Sequence, residues 1–190
     1  MKILTSIPSY SGWVRQELLQ FLQTLPTTLY FPPRLPTDIA RNNIVKTAQL
    51  RKFDAIFMLD YDAVPHPDTF PKFLRQIEQE VCVCAAPSTQ SCGAVTVLNL
   101  NGQYVCQGSG VERVGNVATH TVMYHIKCFD NMVSPFEFET NVPRTQLFNS
   151  EDYVCHDKLT KKNIPIYCFW DCWSDHIKEK RYSRPYILQQ

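Results

Sequence analysis

The sequence predicts an α/β protein: a mostly parallel central sheet flanked by helices, with a smaller antiparallel hairpin region. Three observations carry that expectation. Up to Pro87, short apolar runs alternate with segments whose apolar residues recur at helical spacing, in the order strand–helix–strand–helix–strand–helix–strand. The run Ala55-Ile56-Phe57-Met58-Leu59 is apolar at every position, as buried strands are. Beyond Pro87 the segments shorten around Asn101-Gly102, a strong short-range hairpin signal.

Taken in order, Lys2 to Ser6 reads as the first strand, and Pro8-Ser9-Tyr10-Ser11-Gly12 as the loop leaving its carboxyl end. Val14, Leu18, Phe21, Leu22 and Leu25 share one helical face, and Pro26 marks the stop. Leu29-Tyr30-Phe31 gives a short second strand. Pro32-Pro33-Arg34-Leu35-Pro36 cannot pair fully in a sheet and reads as a loop. Thr37 can cap a helix beginning at Asp38, with Ile39, Ile44, Val45 and Ala48 on its buried face. After the Ala55–Leu59 strand, Pro67-Asp68 opens a helix that buries Phe70, Phe73, Leu74 and Ile77, and Val81 to Ala86 is a further strand.

In the second half, Gly93 to Leu100 and Gln103 to Gln107 flank the Asn-Gly turn, and Val111 to Val117 extends the antiparallel part. Met123 to Phe129 runs into a short helix. Ser134 to Asn149 has little periodicity and reads as a loop over a site. Ser150 can cap a helix to about Lys162. Ile164 to Phe169 is the last strand, which Pro165 places at an edge, and the rest is tail. Without repeats, low-complexity tracts or clear linkers, the 190 residues form one domain with two halves.

Composition narrows the function classes. Hydrophobic residues make up 44%, which excludes a disordered chain, and the net charge is +1 with scattered Lys and Arg, so there is no footprint for nucleic acid. The N-terminal segment is too short and polar for a secretory signal, and no apolar run reaches membrane-span length. The eight cysteines sit largely at core-like positions, as in Val81-Cys82-Val83-Cys84-Ala85, and read as reduced thiols of a cytoplasmic protein. Cys168, Cys172 and His176 also admit a zinc reading, which lacks a Cys-x-x-Cys pair.

The chemistry concentrates at Leu59-Asp60-Tyr61-Asp62. Open α/β sheets bind ligands at the carboxyl ends of their strands, and alternation puts both carboxylates on one side. Two adjacent anions call for a positive partner, and a divalent cation carrying a diphosphate supplies one. A solvated turn after the strand gives the same pattern.

The order of the patches resembles the GT-A fold, nucleotide-sugar-dependent glycosyltransferases, and the family 2-like ones in particular. The patches are Ile3-Leu4-Thr5-Ser6-Ile7-Pro8, Ala40-Arg41-Asn42-Asn43, Leu59-Asp60-Tyr61-Asp62, Ser150-Glu151-Asp152-Tyr153 and, less specifically, Ser174-Asp175-His176. The resemblance implies a GT-A-like (Rossmann-like) sheet, with residues 1–87 as nucleotide-binding half, 88–180 as acceptor-side half and 181–190 as tail. It implies a metal-dependent, inverting transfer of a sugar from a nucleoside-diphosphate sugar to a glycan or other acceptor hydroxyl. Thr5, Ser6, Pro8 and Tyr10 would line the base and ribose site, Arg41 would orient the aspartates, and Asp60 would contact ribose or donor sugar. Asp62 and His176 would hold Mn²⁺ or Mg²⁺. Asp152 would be the base and Glu151 would position the acceptor or hold the loop. The chain departs from the family pattern in the stretch Gly115-Asn116-Val117-Ala118-Thr119-His120 and in His176-Ile177-Lys178, where related enzymes have more glycine.

Two other readings use the same fold: a sugar-phosphate nucleotidyltransferase, and a non-catalytic nucleotide- or sugar-binding module. The first is disfavoured by Ile7-Pro8-Ser9-Tyr10-Ser11, which lacks the glycines of a phosphate loop.

Overall fold

The computed structural model describes residues 1–9, 12–88, 95–140 and 147–176. In chain order its elements are β1 (Ile3–Ser6), α1 (Gln16–Gln23), β2 (Thr28–Tyr30), α2 (Thr37–Leu50), β3 (Ala55–Leu59), β4 (Ala63–Pro65), α3 (Thr69–Gln79) and β5 (Val83–Ala85). There follow β6 (Val97–Leu98), β7 (Val111–Val114), β8 (Asn116–Val117), β9 (Thr121–His125), a 3₁₀ turn at Ile126–Phe129, β10 (Glu139–Thr140), β11 (Leu147–Asn149), α4 (Glu151–Lys161), β12 (Ile166–Phe169) and β13 (Ser174–His176).

A seven-stranded sheet in the order β2-β1-β3-β9-β5-β12-β7 forms the centre. β1, β2, β3, β5 and β12 share one direction, while β9 and β7 run against it. The alternation of strand side chains divides the core into two layers. Ile56 and Met58 of β3 join Val83, Tyr124 and Ile166 under α2 and α4, through Ile44, Val45, Ala48, Cys155 and Leu159. Ala55, Phe57 and Leu59 face the other way, with Cys84 and Met123, under Leu18 and Leu22 of α1 and Phe70, Phe73 and Ile77 of α3. This is the mostly parallel sheet expected, with short antiparallel pairs beside it.

Several local expectations change. β12 is interior, between β5 and β7, because the ladder starts after Pro165, whose carbonyl accepts from the Val83 amide at 3.0 Å. The residue before α2 is Pro36, so Thr37 lies inside the helix. Ser150 precedes α4, but its hydroxyl turns to the Asp152 carboxylate instead of a backbone amide. The segment after β12 includes β13, which pairs antiparallel with β4. The Asn-Gly turn is present: Gly102 has φ +75°, and Asn99 Oδ1 accepts from the amides of Asn101 and Gln103. Its return leg makes a single bridge, Leu98 to Tyr104, and β6 takes β8 as its ladder partner.

The seven described cysteines are free thiols, all buried except Cys106. Cys168 packs in one core layer and Cys172 in the other. No described helix is long and apolar enough to cross a membrane.

Candidate active site

Asp60 follows β3 directly, and its position is fixed by pairing. β9 runs antiparallel to β3 with Thr121 opposite Leu59, so the residue before β9 meets the residue after β3. The Asp60 amide accordingly donates to the His120 carbonyl at 2.8 Å, and His120 Nδ1 lies 2.8 Å from Asp60 Oδ2. The other carboxylate oxygen, Oδ1, accepts from Arg41 at 3.1 Å.

Arg41 is the hub. It projects from the first turns of α2, is 3% exposed, and donates its second amino group to Glu151 Oε1 at 2.7 Å. Its guanidinium also lies 5.8 Å from the centre of the Phe136 ring. Asn42 fixes that ring's backbone from both sides. Its amide donates to the Phe136 carbonyl at 2.7 Å, and its carbonyl accepts from the Phe136 amide at 3.0 Å. Asn42, a poor helix former, thus has a tertiary task inside α2.

The carboxylates separate electrostatically. Burial pushes Asp60 up, but the His120 hydrogen bond and the Arg41 charge outweigh it and hold its carboxyl below the usual range. Burial wins at Glu151 despite Arg41, and the neighbouring Asp152 charge adds to the rise. Asp152 is held low: Arg41, the Ser150 hydroxyl and the Tyr153 amide outweigh its desolvation. Burial opposes protonation of His120, yet the bond and charge of Asp60 raise its pKa. Arg41 stays charged, because Asp60 and Glu151 more than offset its burial.

The remaining expected residues fall as follows. The Thr5 hydroxyl donates to Thr27 Oγ1 at 2.8 Å and Ser6 to the Tyr30 carbonyl at 2.7 Å, so both reach across to β2 and its approach. Pro8 is buried at the end of β1, and Tyr10 lies outside the described residues. Asp62 is 8% exposed on the turn between β3 and β4, which the Ala63 amide closes on the Asp60 carbonyl at 3.1 Å. β13 places His176 opposite Ala63, next to Asp62, although the two are far apart in sequence. Arg41, Asp60, Glu151 and Asp152 are therefore brought together, and His176 reaches the Asp62 turn by its backbone.

His120 is the member that sequence reasoning missed. Its signal was present, a histidine just before an apolar run, but only the antiparallel direction of β9 makes it a neighbour of Asp60. Among the described residues no three His, Cys, Asp or Glu side chains converge as a metal cage. Hard divalent cations take carboxylate oxygens, so the Asp62 carboxylate is of the donor type that Mn²⁺ or Mg²⁺ accepts.

No family model matches the chain, and no curated protein matches it. Solved structures do. A197 from STIV aligns with a TM-score of 0.71 at 16% identity, over 94% of this chain and 87% of that one. The glycosyltransferase GalNAc-T7, solved with UDP, GalNAc and Mn²⁺, gives 0.58 at 9% identity, over 94% of this chain and 44% of its own. TarS 1-349 of S. aureus, in complex with UDP-GlcNAc, gives 0.55 at 15% identity, over 98% and 62%. An apo UDP-glucose pyrophosphorylase gives 0.50 at 9% identity, over 91% and 74%. The chain spans under two thirds of the two glycosyltransferase chains. At these identities the likeness establishes the fold.

Proposed function

We propose that this chain transfers a sugar from a nucleoside-diphosphate sugar to an acceptor hydroxyl, with inversion and with a divalent cation. The observation that carries the reading is Arg41 bridging Asp60 and Glu151 at the carboxyl end of β3, in a GT-A-like sheet. A buried cation that joins a strand-end acid to a helix-start acid holds two distant segments together. The fold neighbours crystallised with UDP or UDP-GlcNAc support the donor class.

Asp152 is the base in this reading. Its contacts with Ser150 and the Tyr153 amide both fall on Oδ1, so Oδ2 is the oxygen an acceptor hydroxyl would meet. As the acceptor oxygen bonds to the anomeric carbon, its proton passes to Asp152. The carbon–oxygen bond to the diphosphate breaks, and its electron pair leaves on the phosphate oxygen. Glu151, tied to Arg41, positions the α4 start. Asp62, with His176, would hold Mn²⁺ or Mg²⁺, which when bound stabilises charge on the departing diphosphate. Asp60, with both oxygens engaged, keeps second lone pairs for a ribose or sugar hydroxyl.

The test is a thermal-shift screen of nucleoside diphosphates and nucleotide sugars, with and without Mn²⁺, followed by a donor-hydrolysis assay. Native-state binding raises the melting temperature, and hydrolysis reports a competent donor. No shift with any nucleotide would falsify the reading. The pyrophosphorylase neighbour favours one alternative, nucleotidyl transfer, which pyrophosphate release from a nucleoside triphosphate would establish instead.

A further inference from the structure

We infer that His120 is a catalytic residue of this site: its ring, held on Asp60, meets the donor diphosphate and hydrogen-bonds the departing phosphate oxygen. The inference rests on the transferase reading above and adds a residue to it. Two contacts orient the ring: the Asp60 amide holds the His120 carbonyl, and Asp60 Oδ2 holds Nδ1, each at 2.8 Å. With Asp60 ionised, Nδ1 carries a proton and donates, which fixes the ring's direction.

Exposure then separates the two partners of Asp60. The Arg41 side chain is 4% exposed, with an amino group on each of two carboxylates; that of His120 is 18% exposed. An anion arriving from solvent meets the imidazole before the guanidinium. Charge balance makes that contact matter. Asp60, Glu151 and Asp152 stand close to Arg41, so a donor phosphate arriving there needs a hydrogen-bond donor to face it. Among the described residues, Asp60, Arg41 and Asp152 are charged groups that act on the His120 ring. In the transfer step the bond between anomeric carbon and phosphate oxygen breaks with its electrons on that oxygen. As the imidazolium, His120 would keep its Nδ1 proton on Asp60 and donate its Nε2 proton in a hydrogen bond to the developing charge, while the acceptor proton goes to Asp152.

Calorimetry on the full chain tests this with inorganic pyrophosphate, UDP, GDP, uridine and guanosine, each with and without Mn²⁺. His120→Gln is expected to weaken pyrophosphate and the preferred nucleoside diphosphate about tenfold, and to leave the nucleoside unchanged. His120→Lys should recover part of the loss. Equal loss on the nucleoside would mean a scaffolding role and overturn the inference. Unchanged diphosphate affinity in His120→Gln would overturn it too, with the transferase reading intact. A wild-type chain that binds neither pyrophosphate nor any nucleoside diphosphate brings down both. Should His120→Gln fail to fold, the His120 ring proton signals of the wild type, followed by NMR during a pyrophosphate titration, decide: they shift if the inference holds and stay still if it does not.

Discussion

Lowering the pH from 7 to 5 should remove about 2 kcal/mol of stability through one side chain, His156. This histidine is fully buried in α4, one turn below Asp152. Its Nε2 lies 3.0 Å from the Tyr124 hydroxyl and its Nδ1 3.3 Å from Asn116 Oδ1, while Asn116 Nδ2 donates to the Tyr153 carbonyl at 3.2 Å. That amide bond fixes Asn116 with its oxygen toward the ring. The Val117 amide also donates to Nδ1 at 3.5 Å, so both ring nitrogens of the neutral imidazole are engaged inside the core. A second ring proton would put a charge in that core, and burial pushes the pKa down from 6.5 to about 4. The unfolded chain takes up a proton as the pH falls through 6.5, and the folded one does not until about 4. Stability is therefore complete above 6.5 and declines below it. Between pH 7 and 5 the linkage relation gives about 2 kcal/mol, and the whole shift is worth about 3 kcal/mol. His120 acts oppositely. Its raised pKa contributes stability below its unfolded value, which is lost as the pH rises through the folded one. The informative quantity is consequently the difference between wild type and His156→Gln, from urea unfolding followed by tryptophan fluorescence at both pH values. The wild-type advantage should shrink by about 2 kcal/mol at pH 5. An advantage that is equal at the two pH values would refute the argument.

Arg41→Met leaves Asp60 and Glu151 without their shared cation and should cost about 3–5 kcal/mol at pH 7 in urea unfolding. Arg41→Lys should lose most of the same amount, since one ammonium cannot span both carboxylates as the guanidinium fork does; wild-type stability in the lysine variant would count against the hub. In a transfer assay, Asp152→Asn should slow turnover about 10²–10⁴-fold with donor affinity intact, the expected loss for a general base. Asp62→Asn should instead abolish the Mn²⁺-dependent part of the donor-induced thermal shift, and a shift unaffected by that change would exclude Asp62 as the cation's holder.

The sheet was legible because its information is local. β3 is apolar at five successive positions, and burial on both faces follows. The helices declare themselves by spacing, and α3 buries Phe70, Phe73 and Ile77 as the pattern requires. The acids were legible as well, since a carboxylate at a strand end or helix start has no packing reason to be there. What the sequence hides is direction and partnership. Met123 to Phe129 reads as a mixed segment, yet Thr121–His125 is the central strand running against its two neighbours. No composition rule distinguishes a parallel from an antiparallel buried strand of five residues.

That reversal has a consequence for the whole site. Had β9 run parallel to β3, the end of β9 would lie beside Asp60, and His120 would sit at the opposite end of the sheet. Run as it is, β9 delivers His120 to Asp60 at its start and places Tyr124, on the α4-facing side, against His156. One strand thereby supplies both the imidazole that meets the strand-end aspartate and the phenol that anchors the helix bearing Glu151 and Asp152. Arg41 closes the loop by bonding to Asp60 and Glu151 at once. Asp60 and the carboxylates at the start of α4 are thus held at fixed separation by two routes, one through the guanidinium and one through the strand. The single displacement proposed above needs that fixed separation, because in it the incoming hydroxyl and the departing diphosphate stand on opposite faces of one carbon.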